Sequence, residues 1–167
     1  MDLVLIISGG VLLGCMIGLS WFAGSDAPYI PTKMDHIRKI LKLAQIKKGK
    51  RFYELGSGDG RVVIAAAKLK AESVGIEQSL IRVLISRFKA MKLKLKNARF
   101  IHGNIFSKNY SDADIVYVYL LTKGVKKREG KLKKELKKSS IVITQTYHLS
   151  NWRPFKKEGD FYLYRVS

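Results

Sequence analysis

Glu54, Gly56, Gly58 and Gly60 stand at alternate positions in RFYELGSGDGRVVIAAAK, residues 51–68, between an apolar strand end and a run that reads as a helix. Glycines so placed supply φ angles and close backbone approach that a Cβ would forbid, so a small ligand is expected against this turn. Glu77 lies 19 positions beyond Gly58 at the end of a second apolar run, close to the spacing of about 20 at which doubly wound nucleotide folds place a carboxylate on ribose hydroxyls. An acid at a strand end is otherwise an ordinary surface group; the matching glycine turn favours the ribose reading. A pyrophosphate is disfavoured, because Arg61 stands where the dinucleotide fingerprint has its third Gly or Ala, and no Gly-Lys-Ser/Thr follows to make a phosphate loop.

The elements that must position these residues alternate. Phe52–Leu55 reads as a strand, Val62, Val63, Ala66 and Ala67 as a helix face, and Ser73–Ile76 as a second strand. Leu80–Leu95 reads as a basic amphipathic helix and Arg99–His102 as a third strand. Asn104 follows at a rim where a third loop would meet an adenine; a turn-forming Asn after Gly103 is the equal alternative. Ile115–Leu121 is an apolar run of the kind buried on both faces of a sheet. Residues 123–138 form a helix with nine basic and two acidic residues. Ile141–Tyr147 is a fifth strand, and Phe161–Arg165 a terminal one after a turn at Glu158-Gly159-Asp160. The class is α/β, a doubly wound, mostly parallel sheet with an antiparallel C-terminal edge.

Of 167 residues, 32 are Lys or Arg and 13 Asp or Glu, a net charge of +19. Residues 1–32 hold only Asp2 and Asp26, so residues 33–167 carry 32 basic and 11 acidic groups, a net +21. Such a field favours anionic headgroups or nucleic acid, against the plainer reading of a Lys-rich solvated surface. Cys15 is the lone cysteine and His36, His102 and His148 lack ligand spacing, so neither a disulfide nor a metal site is expected.

Leu3–Ala23 is an uncharged run of 21 residues, long enough at about 1.5 Å per residue to cross a hydrocarbon core of roughly 30 Å. It is expected to be a transmembrane helix, since a cleaved signal would carry a basic leader. The nearest basic residues follow it, from Lys33, which places the globular part on the cytoplasmic or equivalent side of a single-pass protein. Gly10, Gly14 and Gly18 share one face, a spacing that suits close helix pairing in a homodimer. The expected organisation is an anchor at 1–24, a linker at 25–32 (Ser and two Pro bearing) and a globular domain at 33–167. Thr32 can cap the helix that follows, with apolar positions at Met34, Ile37, Ile40, Leu41 and Ala44.

From Pro28 to Val166 the chain resembles the small protein-lysine methyltransferases of archaea and their mitochondrial relatives, which modify the ATP synthase c-subunit and the adenine nucleotide translocase. The residues carrying the likeness are Pro28-Tyr29-Ile30-Pro31-Thr32, Glu54-Leu55-Gly56-Ser57-Gly58-Asp59-Gly60-Arg61, Gly75-Ile76-Glu77, Gly103-Asn104, Tyr119-Leu120-Leu121-Thr122, and Trp152 before Tyr162-Leu163-Tyr164. The resemblance implies a Rossmann-like class I fold binding S-adenosylmethionine. In it Tyr29 and Thr32 close over the cofactor, and Glu54, Gly56, Ser57 and Gly58 hold its methionine end. Glu77 holds the ribose, and Asn104 with Ile105 the adenine. The family often has Asp where this chain has Glu54. The Asn/Asp-Pro-Pro-aromatic sequence of nucleic-acid amino-methyltransferases is replaced here by Tyr119-Leu120-Leu121-Thr122, which makes nucleic acid the weaker acceptor.

Lysine methylation needs a neutral amine aligned with the methyl–sulfur bond. A free lysine with pKa near 10.4 resists deprotonation at pH 7 by about 4.6 kcal/mol, unless burial or a nearby cation lowers that cost. Tyr119, Tyr147 and Trp152 are the candidate channel walls, with core packing as the alternative for each; no general base is evident. The expected activity is a membrane-anchored protein-lysine N-methyltransferase whose acceptor is a protein, with membrane proteins and anionic membrane surfaces as its surroundings. The alternatives are a methyltransferase for a lipid or small amine, and a non-catalytic module that binds the cofactor or an anionic surface.

Overall fold

The computed structural model describes residues 3–22, 30–120 and 122–166. Among them run α1 (Leu3–Phe22), α2 (Met34–Leu43), β1 (Arg51–Leu55), α3 (Arg61–Lys68), β2 (Glu72–Glu77), α4 (Leu80–Lys92) and β3 (Ala98–His102), followed by β4 (Ile115–Val118), α5 (Thr122–Glu135), β5 (Ile141–Gln145), β6 (Lys156–Glu158) and β7 (Phe161–Arg165).

The strands form one seven-stranded sheet in the order β3-β2-β1-β4-β5-β7-β6. β1 pairs in parallel with β2 on one side and β4 on the other, so the chain steps outward in opposite directions from this pair. Open α/β sheets bind ligands at such a reversal, above the carboxyl ends of the strands. The expected antiparallel edge is present, β7 against β5, and β6 extends it antiparallel to β7. Lys156-Lys157-Glu158 carries no apolar alternation, which is why β6 has no signature in the sequence.

Side chains of β1, β4 and β5 alternate between two buried layers. Phe52, Ile115, Tyr117 and Ile143 pack with Ile37, Ile40 and Leu43 of α2 and Val62 and Ala66 of α3. Tyr53, Val116, Val118 and Val142 pack with Leu132 of α5 and Leu136 just after it. Burying each such aliphatic or aromatic side chain contributes about 1.5–3 kcal/mol, which fixes the register of the central strands. β4 is buried at every residue but ends at Val118, short of the expected Leu121.

Three expectations change. Lys33, not Thr32, stands at the N-cap of α2, with no side-chain cap; Thr32 is buried, its hydroxyl bonded to Tyr117. α4 is amphipathic in the reverse sense: it buries Arg82, Val83, Ser86 and Ala90 and exposes Leu80, Leu84, Phe88 and Met91. The cause is the neighbouring turn: Ser86 Oγ, which donates to the Arg82 carbonyl at 2.8 Å, also lies 3.3 Å from the Gly58 carbonyl, and Arg82 reaches Glu77. Large apolar groups would not fit there.

The third concerns α1, which is helical over 20 residues with exposed apolar side chains from Leu3 to Met16. Among the described residues no helix is long and apolar enough to cross a membrane, so the expected transmembrane segment is not carried by the structure. Gly10, Gly14 and Gly18 have open space where a Cβ would lie. Tyr29 and most of the linker lie outside the described residues.

Candidate active site

The glycine turn leaves β1 at Leu55 and enters α3 at Arg61. The N–H groups of Gly56 and Ser57 both donate to the Ile76 carbonyl, at 2.9 and 3.0 Å, pinning the turn over the end of β2. Gly58, at φ 53°, sends its N–H to Glu77 Oε2 at 2.9 Å. The Ser79 N–H donates to Glu77 Oε1 at 2.9 Å. Arg82 completes the set with an ion pair at 3.4 Å in which both side chains are almost wholly buried. A carboxylate has about four lone-pair sites and three are taken, so Glu77 keeps acceptor capacity for one ribose hydroxyl. Gly60 serves packing: a Cβ there would meet the Phe100 ring at 2.6 Å and Ser86 Cβ at 2.8 Å.

Glu54 lies at the end of β1, paired in register with Tyr117 of β4. Its carboxylate is buried, receives the Val63 backbone N–H, and is pushed well above the usual carboxylate range by burial first and the nearby Asp59 charge second. Its Oε2 and the Ser57 Oγ are buried without a hydrogen-bond partner. A neutral or cation-seeking carboxyl beside a buried hydroxyl and the positive end of α3 fits an amino-acid moiety: ammonium to Glu54, carboxylate to Ser57 and the helix terminus. The residues present therefore suit the methionine end of S-adenosylmethionine.

A polar chain leads away from Glu54. Tyr117 Oη donates to Gln145 Oε1 at 2.6 Å, and Gln145 Nε2 donates to His36 Nδ1 at 2.8 Å, which requires the Nε2-protonated tautomer of His36. Burial, then the Glu54 charge, raises the Tyr117 hydroxyl far above its ordinary value, so it stays neutral. A hydroxyl, an amide and an imidazole thus run from Tyr117 to the half-exposed His36.

Just beyond, Tyr147 N–H closes on the Gln145 carbonyl at 2.8 Å around Thr146, whose φ is 67°. A three-residue turn with a positive central φ is the rare, strained form, and a β-branched centre adds to the strain. This turn is what stops β5 at Gln145, two residues before the expected Tyr147.

The three candidate wall residues are not brought together. Tyr119 packs against the α2/α3 layer, whereas Tyr147 and Trp152 pack against the α5 layer. Trp152 has its ring 5.6 Å from that of Tyr164 and Lys133 above it at 5.3 Å. Asn104 is exposed after β3 and accepts the Phe106 N–H at 2.8 Å on its side-chain oxygen, a turn-forming bond; Ile105 beside it is half-buried.

The sequence reading missed Asp59, Arg61, Arg82, Lys89, Gln145 and His36. Asp59 accepts from Arg61 Nε and Nη2, both at 2.9 Å, and from Lys89 at 2.8 Å. Burial alone would raise its pKa, but those hydrogen bonds hold it well below the ordinary range. Arg61 also donates to the Thr32 carbonyl at 3.3 Å, tying the segment before α2 to the turn. The signal was partial: Arg61 registered only as a departure from a fingerprint, and Arg82 sits outside the apolar stripe that defined α4. A cavity of about 210 Å³ lined by Lys47, Lys50, Asp114 and Lys137 includes Ile115 and Ile141, the starts of β4 and β5. It is at the opposite end of the sheet from the crevice.

Residues 54–156 match the family model of the ANTKMT methyltransferase domain. A protein-lysine N-methyltransferase of Saccharolobus islandicus is 33% identical over 131 residues, covering 76% of this chain and 81% of that protein. The ATP synthase c-subunit lysine N-methyltransferase of Xenopus laevis is 31% identical over 128 residues, covering 76% of this chain and 56% of its own length. Among solved structures, an RNA methyltransferase from Salinibacter ruber with bound S-adenosyl-L-homocysteine is similar at TM-score 0.77 and 30% identity, over 82% of this chain and 94% of that one. With the glycine turn, the Glu77 carboxylate and the strand order described above, the chain belongs to the ANTKMT methyltransferase family of the class I fold, with S-adenosylmethionine as methyl donor.

Proposed function

We propose that the protein is a protein-lysine N-methyltransferase held at a membrane by its N-terminal helix, with the globular domain on the cytoplasmic or equivalent side. The observation that carries the lysine acceptor is the likeness to the Saccharolobus enzyme, 33% identical and spanning 76% of this chain. S-adenosylmethionine supplies a methyl group already activated on a sulfonium; the chain's own residues bind, orient and exclude water. Glu54 and Ser57 would hold the amino-acid end, Glu77 the ribose, and the loop at Asn104 and Ile105 the adenine. The buried Tyr117 hydroxyl and the chain through Gln145 to His36 form the polar floor beside which an acceptor amine would lie, in surroundings that favour its neutral form. The uncharged run at residues 3–23 is the support for the membrane reading.

RNA is a second reading, favoured by the Salinibacter structure at 30% identity and by the net charge of +19. The lysine reading is preferred because Tyr119-Leu120-Leu121-Thr122 replaces the base-gripping sequence of nucleic-acid amino-methyltransferases. The purified full-length chain, incubated with methyl-labelled S-adenosylmethionine and separate samples of the ATP synthase c-subunit, RNA and phosphatidylethanolamine vesicles, should label the protein. Label confined to RNA or lipid overturns the proposal.

A further inference from the structure

α4 turns its apolar side outward. Leu80, Leu84, Phe88 and Met91 are 51%, 53%, 60% and 68% exposed, and at 100° per residue they fall within an arc of about 80°. A surface helix ordinarily buries that stripe; here the buried side is taken by Arg82 and Ser86, committed to Glu77 and the glycine turn. The stripe is not a leftover of packing, because the inward positions are filled.

Its surroundings carry one sign of charge. Residues 78–111 contain eight Lys or Arg and no Asp or Glu, and Arg87, Lys92, Lys94 and Lys96 are exposed along α4 and the turn that follows. An apolar stripe edged by cations is the pattern of a helix lying in a headgroup layer, its apolar face about 5–10 Å below the boundary. A second copy of the same face would set like charges against each other. α1, the other exposed apolar element, approaches α4.

We propose that α4 is a second membrane contact: its Leu80–Leu84–Phe88–Met91 face lies in the headgroup layer of an anionic bilayer, with Lys92, Lys94 and Lys96 on the phosphates. This rests on the membrane-bound reading above and adds the orientation. The N-terminus of α4 follows directly on the Glu77–Ser79 segment, so seating this face would hold the cofactor crevice next to the bilayer, within reach of lysines near the ends of membrane-embedded segments.

The test uses the full chain carrying Cys15→Ser, with a nitroxide on Phe88→Cys and, separately, on Phe155→Cys. Phe155 is also 50% exposed but precedes β6, at the far edge of the sheet. Flotation is run first on phosphatidylcholine vesicles with and without phosphatidylglycerol, then accessibility to oxygen and to a water-soluble nickel chelate is read by spin resonance. The expected result is flotation with the phosphatidylglycerol vesicles and a several-fold rise in the oxygen-to-nickel ratio at 88 but not at 155. A chain that fails to float overturns both this inference and the membrane reading. A floating chain whose label at 88 stays open to nickel overturns this inference alone, as does a label shielded from both reagents, which would mean protein covers the face.

Discussion

The backbone N–H of Gly58 donates to Oε2 of Glu77 over 2.9 Å, across 19 residues of sequence. Turn and carboxylate are therefore one unit: the glycine conformation that admits a ligand to the backbone also holds the acid that would bind its ribose. Glu77 is tied as well to Ser79 and Arg82, so its replacement is not a clean deletion. Glu77→Ala would take the buried Arg82 guanidinium from its carboxylate, and breaking a buried pair costs about 3–5 kcal/mol. Glu77→Gln keeps the shape; it should weaken cofactor binding about 10-fold or more while leaving a folded domain, measured by calorimetry and thermal unfolding side by side.

Glu54 should couple cofactor binding to protons. Burial and Asp59 raise its pKa in the folded protein, so its stabilising neutral form is fully present below the ordinary value of 4.5 and is lost as pH rises through the raised value. Glu54→Gln should therefore be more stable than the parent above that range, with the difference vanishing below 4.5. It should also bind S-adenosylmethionine about 10- to 100-fold more weakly, from loss of a charge-assisted bond of about 1.5–3 kcal/mol. Denaturant titrations across pH and calorimetry read the two effects separately.

Asp59 carries the opposite sign. Although its burial opposes ionisation, the Arg61 and Lys89 hydrogen bonds depress its pKa, so its contribution is present above the ordinary 3.8 and lost as pH falls through the lowered value. Asp59→Asn should cost about 1.5–3 kcal/mol at pH 7. The gap from the parent should close under strong acid, followed by chemical denaturation.

At Thr146, glycine should relieve strain. A non-glycine residue at positive φ costs about 1–3 kcal/mol, partly offset by the chain entropy of glycine. Thr146→Gly should leave stability unchanged or raise it by about 1 kcal/mol, yet lower kcat by loosening Gln145 and Tyr147. Unchanged kcat would mean the turn only ends the strand.

The parts of the fold legible in the sequence were those fixed by local pattern. The start of β4, the glycine turn and the place of Glu77 at the end of β2 each follow from local pattern and are where they were expected, although β4 stops at Val118. The inverted face of α4 was not legible, because periodicity locates an apolar stripe without saying which way it points; Arg82 and Ser86 face inward only because Glu77 and Gly58 are there to receive them. The basic run at residues 123–138 is in part committed: Lys131 pairs with Glu135, Lys133 with Glu129 and Lys137 with Asp114. Thr32 looked like a helix cap by type and position, but a long-range bond to Tyr117 claimed its hydroxyl.

The most direct test of the account is chemical identification of the methylated group. The full-length chain and its Glu77→Gln variant are incubated with methyl-labelled S-adenosylmethionine and the ATP synthase c-subunit, and the protein is hydrolysed to amino acids. The account predicts label in Nε-methyllysine, reduced at least several-fold in the variant at limiting cofactor. Label recovered from any other amino acid, or equal labelling by both proteins, would contradict it.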